Sequence, residues 1–85
     1  MEYPIDQQIR AFIIENFLFG ESDNGLTNTD SLLEKGVIDS TGVLELIAFI
    51  EVTYGIKVKD EELLPENLDT ISSIAEYIQR KQIEI

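Results

Sequence analysis

An all-α fold, a small four-helix bundle made of three main helices and one short one, is what this sequence predicts, and three observations carry the prediction. Three segments place apolar residues at the i, i+3, i+4 spacing of a helix face. The segments between them are rich in Gly, Pro, Asn, Asp and Ser, the residues that end helices and make turns. No segment of useful length alternates apolar and polar residues; Ile56 to Lys59 is the one candidate strand and is too short. At 85 residues the chain reads as a single domain, 1–85, with a limited core.

The first helix carries Ile5, Ile9, Phe12, Ile13 and Phe17 on one face. Pro4 suits its first turn, where a missing N–H costs nothing, and Gly20 is its expected end. Residues 19–31, FGESDNGLTNTDS, read as a long loop. Leu32, Leu33, Val37 and Ile38 then pack the end of that loop onto the core. The second helix begins at the Asp-Ser pair. Asp39 is a good N-cap, and its carboxylate suits the positive end of the helix dipole. Val43, Leu46, Ile47, Ile50 and Tyr54 form its apolar stripe, and Gly55 is a ready C-terminal stop. In DEELLPENLD, Pro65 interrupts any longer helix and leaves room for one short turn. The last helix starts at Thr70, a plausible N-cap. Ile71, Ile74, Ala75 and Ile78 make its buried face, and Arg80 and Lys81 sit in the final turn, where cations are favoured.

The composition excludes several function classes. The chain has no His and no Cys. A Ser-His-Asp triad, a thiol nucleophile, a disulfide framework and a thiolate metal site are therefore impossible. A Ser-Lys pair has poor support, since Lys35 is the only cation near Ser40 in sequence and lies in a loop. Phosphate-cradling glycine motifs are absent. The net charge is −11. It is uneven: residues 1–38 carry −5, residues 39–69 carry −6, and residues 70–85 are neutral. Nucleic acid and anionic membranes are poor partners for such a surface, and basic protein surfaces or cations are better ones. No apolar run approaches the ~20 residues of a membrane span. The start, MEYPIDQQIR, lacks the pattern of a signal peptide, so a cytoplasmic protein is expected. The acidic loop does not fit a calcium-binding EF-hand. With Gly25 at position 6, Gly20 and Ser31 fall at positions 1 and 12. With Asp23 at position 1, Asn28 falls at position 6.

Ser40, in GVIDSTG, is the residue left to explain. Serine is an ordinary residue at a helix start. Asp39 can cap the helix itself, however, which puts Ser40 at the first helical position with its hydroxyl free to face solvent. The N–H groups of the first turn favour an anion attached there. The position suits a serine that another enzyme modifies with a phosphate or phosphodiester. Such a serine needs no activating base of its own.

At these residues the sequence resembles a known family. GVIDSTGVLELIAFIEVTYGIKV, followed by PENLDTISSIAEYI, is similar to the acyl carrier proteins across essentially the whole chain. The resemblance implies an acyl-carrier-protein-like bundle without catalytic activity. It implies that Ser40 bears 4′-phosphopantetheine, whose terminal thiol holds an acyl or aminoacyl group as a thioester. That cofactor would also supply the thiol that a chain without Cys lacks. The implied partners are a phosphopantetheinyl transferase and a ligase, ketosynthase or transferase with a basic docking surface, acting in fatty-acid, polyketide or specialised biosynthesis on a monomeric carrier. Partners of the family read the second helix. There Asp39 precedes the modified serine, Glu45 and Glu51 match acidic contact positions, and Ala48 and Val52 share the Glu45 face, opposite the core stripe.

The departures from the family pattern point to a specialised, free-standing carrier. Thr41 stands where Leu is common, Gly42 where an acid is frequent, and Val52 where fatty-acid carriers often have another acid. The competing readings are an acidic helical interaction module, in which Ser40 is only a helix-start residue, and a low-affinity cation-binding protein.

Overall fold

A computed structural model of the chain describes residues 4–18 and 25–83. Four α-helices follow in order: α1 (Ile5–Phe17), α2 (Ser40–Tyr54), α3 (Pro65–Leu68) and α4 (Ile71–Ile83), with one turn of 3-10 helix at Asp60–Glu62. There is no strand among the described residues, and Ile56–Lys59 is not one. No helix among them is long and apolar enough to cross a membrane. The all-α bundle of three main helices and one short one is therefore the observed fold.

Pairing of α1 with α2 is antiparallel. Gln8 accepts a hydrogen bond of 2.6 Å from the Tyr54 hydroxyl. One turn on, the Phe12 ring stacks on Phe49 with centroids 4.1 Å apart. Phe17 then lies against Gly42. Residue numbers rise along α1 as they fall along α2. Helix α4 packs against α1, α2 and α3. Ile9, Ile13, Leu46, Ile50, Ile71, Ile74 and Ile78 are fully buried where these helices meet, each worth about 1.5–3 kcal/mol relative to exposure.

Most expected boundaries hold. Asp39 caps α2, and Gly55 ends it in a left-handed conformation with φ 66°. Thr70 Oγ1 accepts from the Ser73 amide at 3.0 Å and so caps α4. Pro4 stands one residue outside α1, where its carbonyl accepts from Gln8 N. Gly20, the expected end of α1, lies outside the described residues. Pro65 breaks any longer helix in this stretch, as expected: the 3-10 turn ends before it, and it occupies the first position of α3, where a missing N–H is harmless. Two expectations need correction. Leu33 is 46% exposed and lines a surface crevice instead of joining the core, with its amide bonded to Asp69 Oδ1. The buried line of α2 is Gly42, Leu46 and Ile50, with Val43, Ile47 and Tyr54 half-buried on one flank. The helix is rolled toward Phe49, whose stacking on Phe12 the one-face reading omitted.

The loop before α2 is tied down at both sides. Leu26 and Leu32 are buried in the core. Arg10 reaches from α1 to the Leu26 carbonyl at 2.7 Å and to Asn28 Oδ1 at 2.5 Å. Asn28 in turn donates to Asp6. At the other side Leu32 N bonds Asp69 O at 2.8 Å, and Asp69 Oδ2 accepts from Ser31 Oγ. These ties fix the segment that delivers Asp39 and Ser40 to the start of α2.

Candidate functional site

The first turn of α2 divides its work between two neighbouring residues. Asp39 is extended, with φ −115° and ψ −174°. Its Oδ1 accepts from the Gly42 amide at 2.7 Å, and its carbonyl accepts from Val43 N at 3.0 Å. Ser40 follows at the first helical position and is exposed. Its hydroxyl has no hydrogen-bond partner among the described residues. The serine is thus not consumed by capping, and the open N-terminal amides of a fifteen-residue helix lie beside it. Thr41 is exposed next to it.

Helix α2 contains no Lys or Arg. Lys35 is paired with Asp30 at 3.2 Å. The Thr27 amide first, and Lys35 after it, hold the Asp30 carboxyl below its ordinary range. No group of acids suited to a metal ion occurs among the described residues.

Gly42 is buried two residues after Ser40. A Cβ built there lies 2.7 Å from Ile38 Cγ1 and 2.8 Å from Phe17 Cε1. The glycine lets the end of α1 and the incoming loop close onto the first turn of α2. Its absence of a side chain gives no hydropathy signal, so a periodicity argument passes over it.

On the other flank, Val43 lines a crevice of about 130 Å³ with Leu33, Leu63, Leu64, Leu68 and Asp69. Val43 is three residues past Ser40, so the two are neighbours on the helix surface. A larger groove, about 450 Å³, runs between α1 and α2 beside Phe12 and Phe49, more than two turns further along the helix.

The outward face of α2 carries Leu44, 64% exposed, Val52, 86% exposed, and the exposed Ala48, beside the exposed Glu45. Glu51 differs from Glu45. It is half-buried, and its Oε2 accepts from the Val58 amide at 2.9 Å. Of the two acids expected at contact positions, Glu45 is exposed and Glu51 is tied to the backbone. Its carboxylate holds the chain leaving α2.

The family described as phosphopantetheine attachment site matches residues 18–78. The chain belongs to this family. It is 32% identical over 79 residues to the acyl carrier protein of Rickettsia canadensis (strain McKiel), covering 92% of this chain and 86% of that one. It is 34% identical over 76 residues to the D-alanyl carrier protein of Streptococcus pyogenes serotype M5 (strain Manfredo), covering 87% and 95%. It is 28% identical over 76 residues to the probable acyl carrier protein PigG of Serratia sp. (strain ATCC 39006), covering 89% and 86%. Among solved structures, one described as "Crystal structure of FAD-dependent dehydrogenase" contains a similar chain, with a TM-score of 0.72 and 33% identity over 82% of this chain and 97% of that one.

Members of the phosphopantetheine-attachment family are cargo carriers that do no catalysis, and they hold 4′-phosphopantetheine covalently. The first turn of α2 fits that group: an exposed hydroxyl, separate capping by Asp39, and open amides for a phosphodiester. The expectation of a carrier protein is met at this level. The relatives include acyl and D-alanyl carriers, so membership of the family does not assign fatty-acid biosynthesis to this chain.

Proposed function

We propose that Ser40 is the attachment residue for 4′-phosphopantetheine and that the domain 1–85 works as a carrier of an acyl or aminoacyl group in specialised biosynthesis. The observation that carries this reading is the division of labour at the helix start. Asp39 caps, and the Ser40 hydroxyl is left exposed and unbonded. When bound, the group supplies the thiol that holds cargo. The chain's own residues present it: Asp39 fixes the turn, Gly42 lets α1 and the loop approach, and the outward face of α2 meets partners.

Thr41, Glu45, Ala48, Glu51 and Val52 form the proposed contact face for a transferase and for a cargo-handling ligase, ketosynthase or transferase with a basic docking surface. An apolar strip beside the free carboxylate of Glu45, with Glu51 at its edge bonded to Val58 N, matches such a surface. Val52 and Gly42 make this helix less acidic than that of fatty-acid carriers, which supports a dedicated partner. The solved structure described as an FAD-dependent dehydrogenase contains a chain of similar size to this one, since 82% of this chain covers 97% of it. That match supports a flavin-dependent dehydrogenase as one class of partner.

The test is co-expression with a phosphopantetheinyl transferase, followed by intact mass. One increment of the cofactor's mass is expected on the wild-type chain and none on Ser40→Ala. An increment that persists in Ser40→Ala would refute the assignment.

A further inference from the structure

Residues 60–69 contain three residues of 3-10 helix and a four-residue helix, both far too short to be stable alone. They nevertheless hold Leu63, Leu64 and Leu68 as one wall of the crevice beside Ser40. Two carboxylates, one at each end, hold this segment in place. At the far end, Asp69 Oδ1 accepts from Leu33 N and Oδ2 from Ser31 Oγ, which ties the segment to the loop. At the near end, Glu62 Oε1 accepts from Lys59 N, from the Tyr77 hydroxyl and from Lys81 Nζ, each at 3.0 Å. Asn67 Nδ2 donates to the Glu62 carbonyl, and Arg80 donates to Asn67 Oδ1.

The partners of Glu62 on α4 are unusual for surface residues. Tyr77 is only 2% exposed, and the Lys81 side chain only 9%. Buried donors favour a fixed acceptor, and Glu62 Oε1 accepts from both of these. A single exposed ion pair would contribute little. Here one carboxylate gathers a backbone amide, a buried hydroxyl and a largely buried ammonium.

We propose that Glu62 is a positioning residue for the carrier, pinning the Leu63–Leu68 wall to Tyr77 and Lys81 of α4 and so setting how closely the crevice beside Ser40 is closed. Glu62 touches neither arm nor cargo; it acts through the wall. The cargo-side consequence rests on the proposed attachment at Ser40, but the pin itself does not.

Two measurements on the full chain separate these parts. The first is native-state hydrogen exchange of apo wild type, Glu62→Gln, Tyr77→Phe and Lys81→Met. The amides of Asn67, Leu68 and Asp69, which bond back to Leu64 and Pro65, should exchange about tenfold faster or more in each variant, while amides in the core of α1 and α2 change little. Tyr77→Phe removes only a hydroxyl and keeps the buried ring, so at least one variant preserves the fold. Unchanged exchange at 67–69, or acceleration that runs in parallel through the whole chain, overturns the pin.

The second measurement loads each chain from butyryl-coenzyme A with a transferase and follows cleavage of the thioester by hydroxylamine. Wild type should be cleaved several-fold more slowly than butyryl-pantetheine, and the three variants should lose most of that difference. A merely structural role of Glu62 would leave this native-state rate alone. Equal rates in wild type and variants, or no protection in wild type, overturn the positioning role. Failure of Ser40 to load would instead refute the attachment reading, and the exchange result would still judge the pin.

Discussion

Gly42→Ala should destabilise the apo chain, although Gly→Ala in a helix is ordinarily a gain. Removing the backbone freedom of a helical glycine is worth up to about 1 kcal/mol. Here the new methyl lies 2.7 Å from Ile38 Cγ1 and 2.8 Å from Phe17 Cε1. Neither is the far end of a flexible chain. Ile38 is β-branched and 4% exposed, and Phe17 is held edge-on to Phe12 at 5.9 Å. Added methyls in well-packed sites cost about 1–3 kcal/mol. The balance is a net loss of about 1 kcal/mol, which lowers the Tm of a domain this size by roughly 4–8 °C. Thermal melts followed by circular dichroism read this directly. In a double-mutant cycle with Ile38→Ala, the cost of Gly42→Ala should shrink, because one of the two crowding atoms is gone. A Tm equal to or above wild type, or a cost unchanged by Ile38→Ala, would refute the packing argument.

Four further outcomes follow from the same geometry. Asp39→Ala should lose about 1 kcal/mol of stability and Ser40→Ala less than about 0.5, because the cap is the aspartate; paired melts of the apo variants check it. Added salt or millimolar Mg²⁺ should raise the apo Tm near neutral pH by screening the −11 charge, and a Tm indifferent to both counts against self-repulsion. The Lys59 amide, helped by Lys81 and Tyr77, lowers the Glu62 carboxyl from an ordinary 4.5 to about 2; its stabilisation is therefore complete above about 4.5 and lost as pH falls toward 2, so Glu62→Gln should flatten the acid limb of urea-melt stability in that window, and an unchanged limb would refute the assignment. Glu45→Lys should keep the melt within about 0.5 kcal/mol yet slow modification of Ser40 at low salt, whereas Glu51→Lys should lower the Tm by losing the Val58 bond; loading of Glu45→Lys at the wild-type rate in low salt would remove Glu45 from the docking face.

The helices were legible because three of them bury one apolar face, and burial at helical spacing leaves a periodic trace. Asp39, Gly55 and Thr70 were legible as boundaries because capping demands particular side chains. What the sequence hid falls into two kinds. Leu26, Phe49 and Tyr77 join or border the core from a loop or from the flank of a stripe, where a one-face count does not look. Gly42 is buried by what it lacks. The crevice beside Ser40 was also out of reach, since its walls come from the loop, α2 and α3 and meet only in the fold.

The acids divide in a way that composition does not show. Seventeen acids face six bases, so most carboxylates have no cation to pair with. Many accept backbone N–H groups, Asp30 and Glu62 in addition to their lysine partners. Asp6 accepts from Gln7, Asp30 from Thr27, Asp39 from Gly42, Glu51 from Val58, Glu62 from Lys59 and Asp69 from Leu33. Each of these amides lies at a helix start or in a loop, where no ladder or turn supplies an acceptor and an unmet donor is costly. In a bundle with long connections and short helices, carboxylates do the work that regular secondary structure does elsewhere. A net charge of −11 therefore overstates the part of the surface available to a partner. On α2, the helix that leads from Ser40, Glu51 is committed to the fold, and Glu45 is the acid whose charge a basic surface can meet without drawing it away from the backbone.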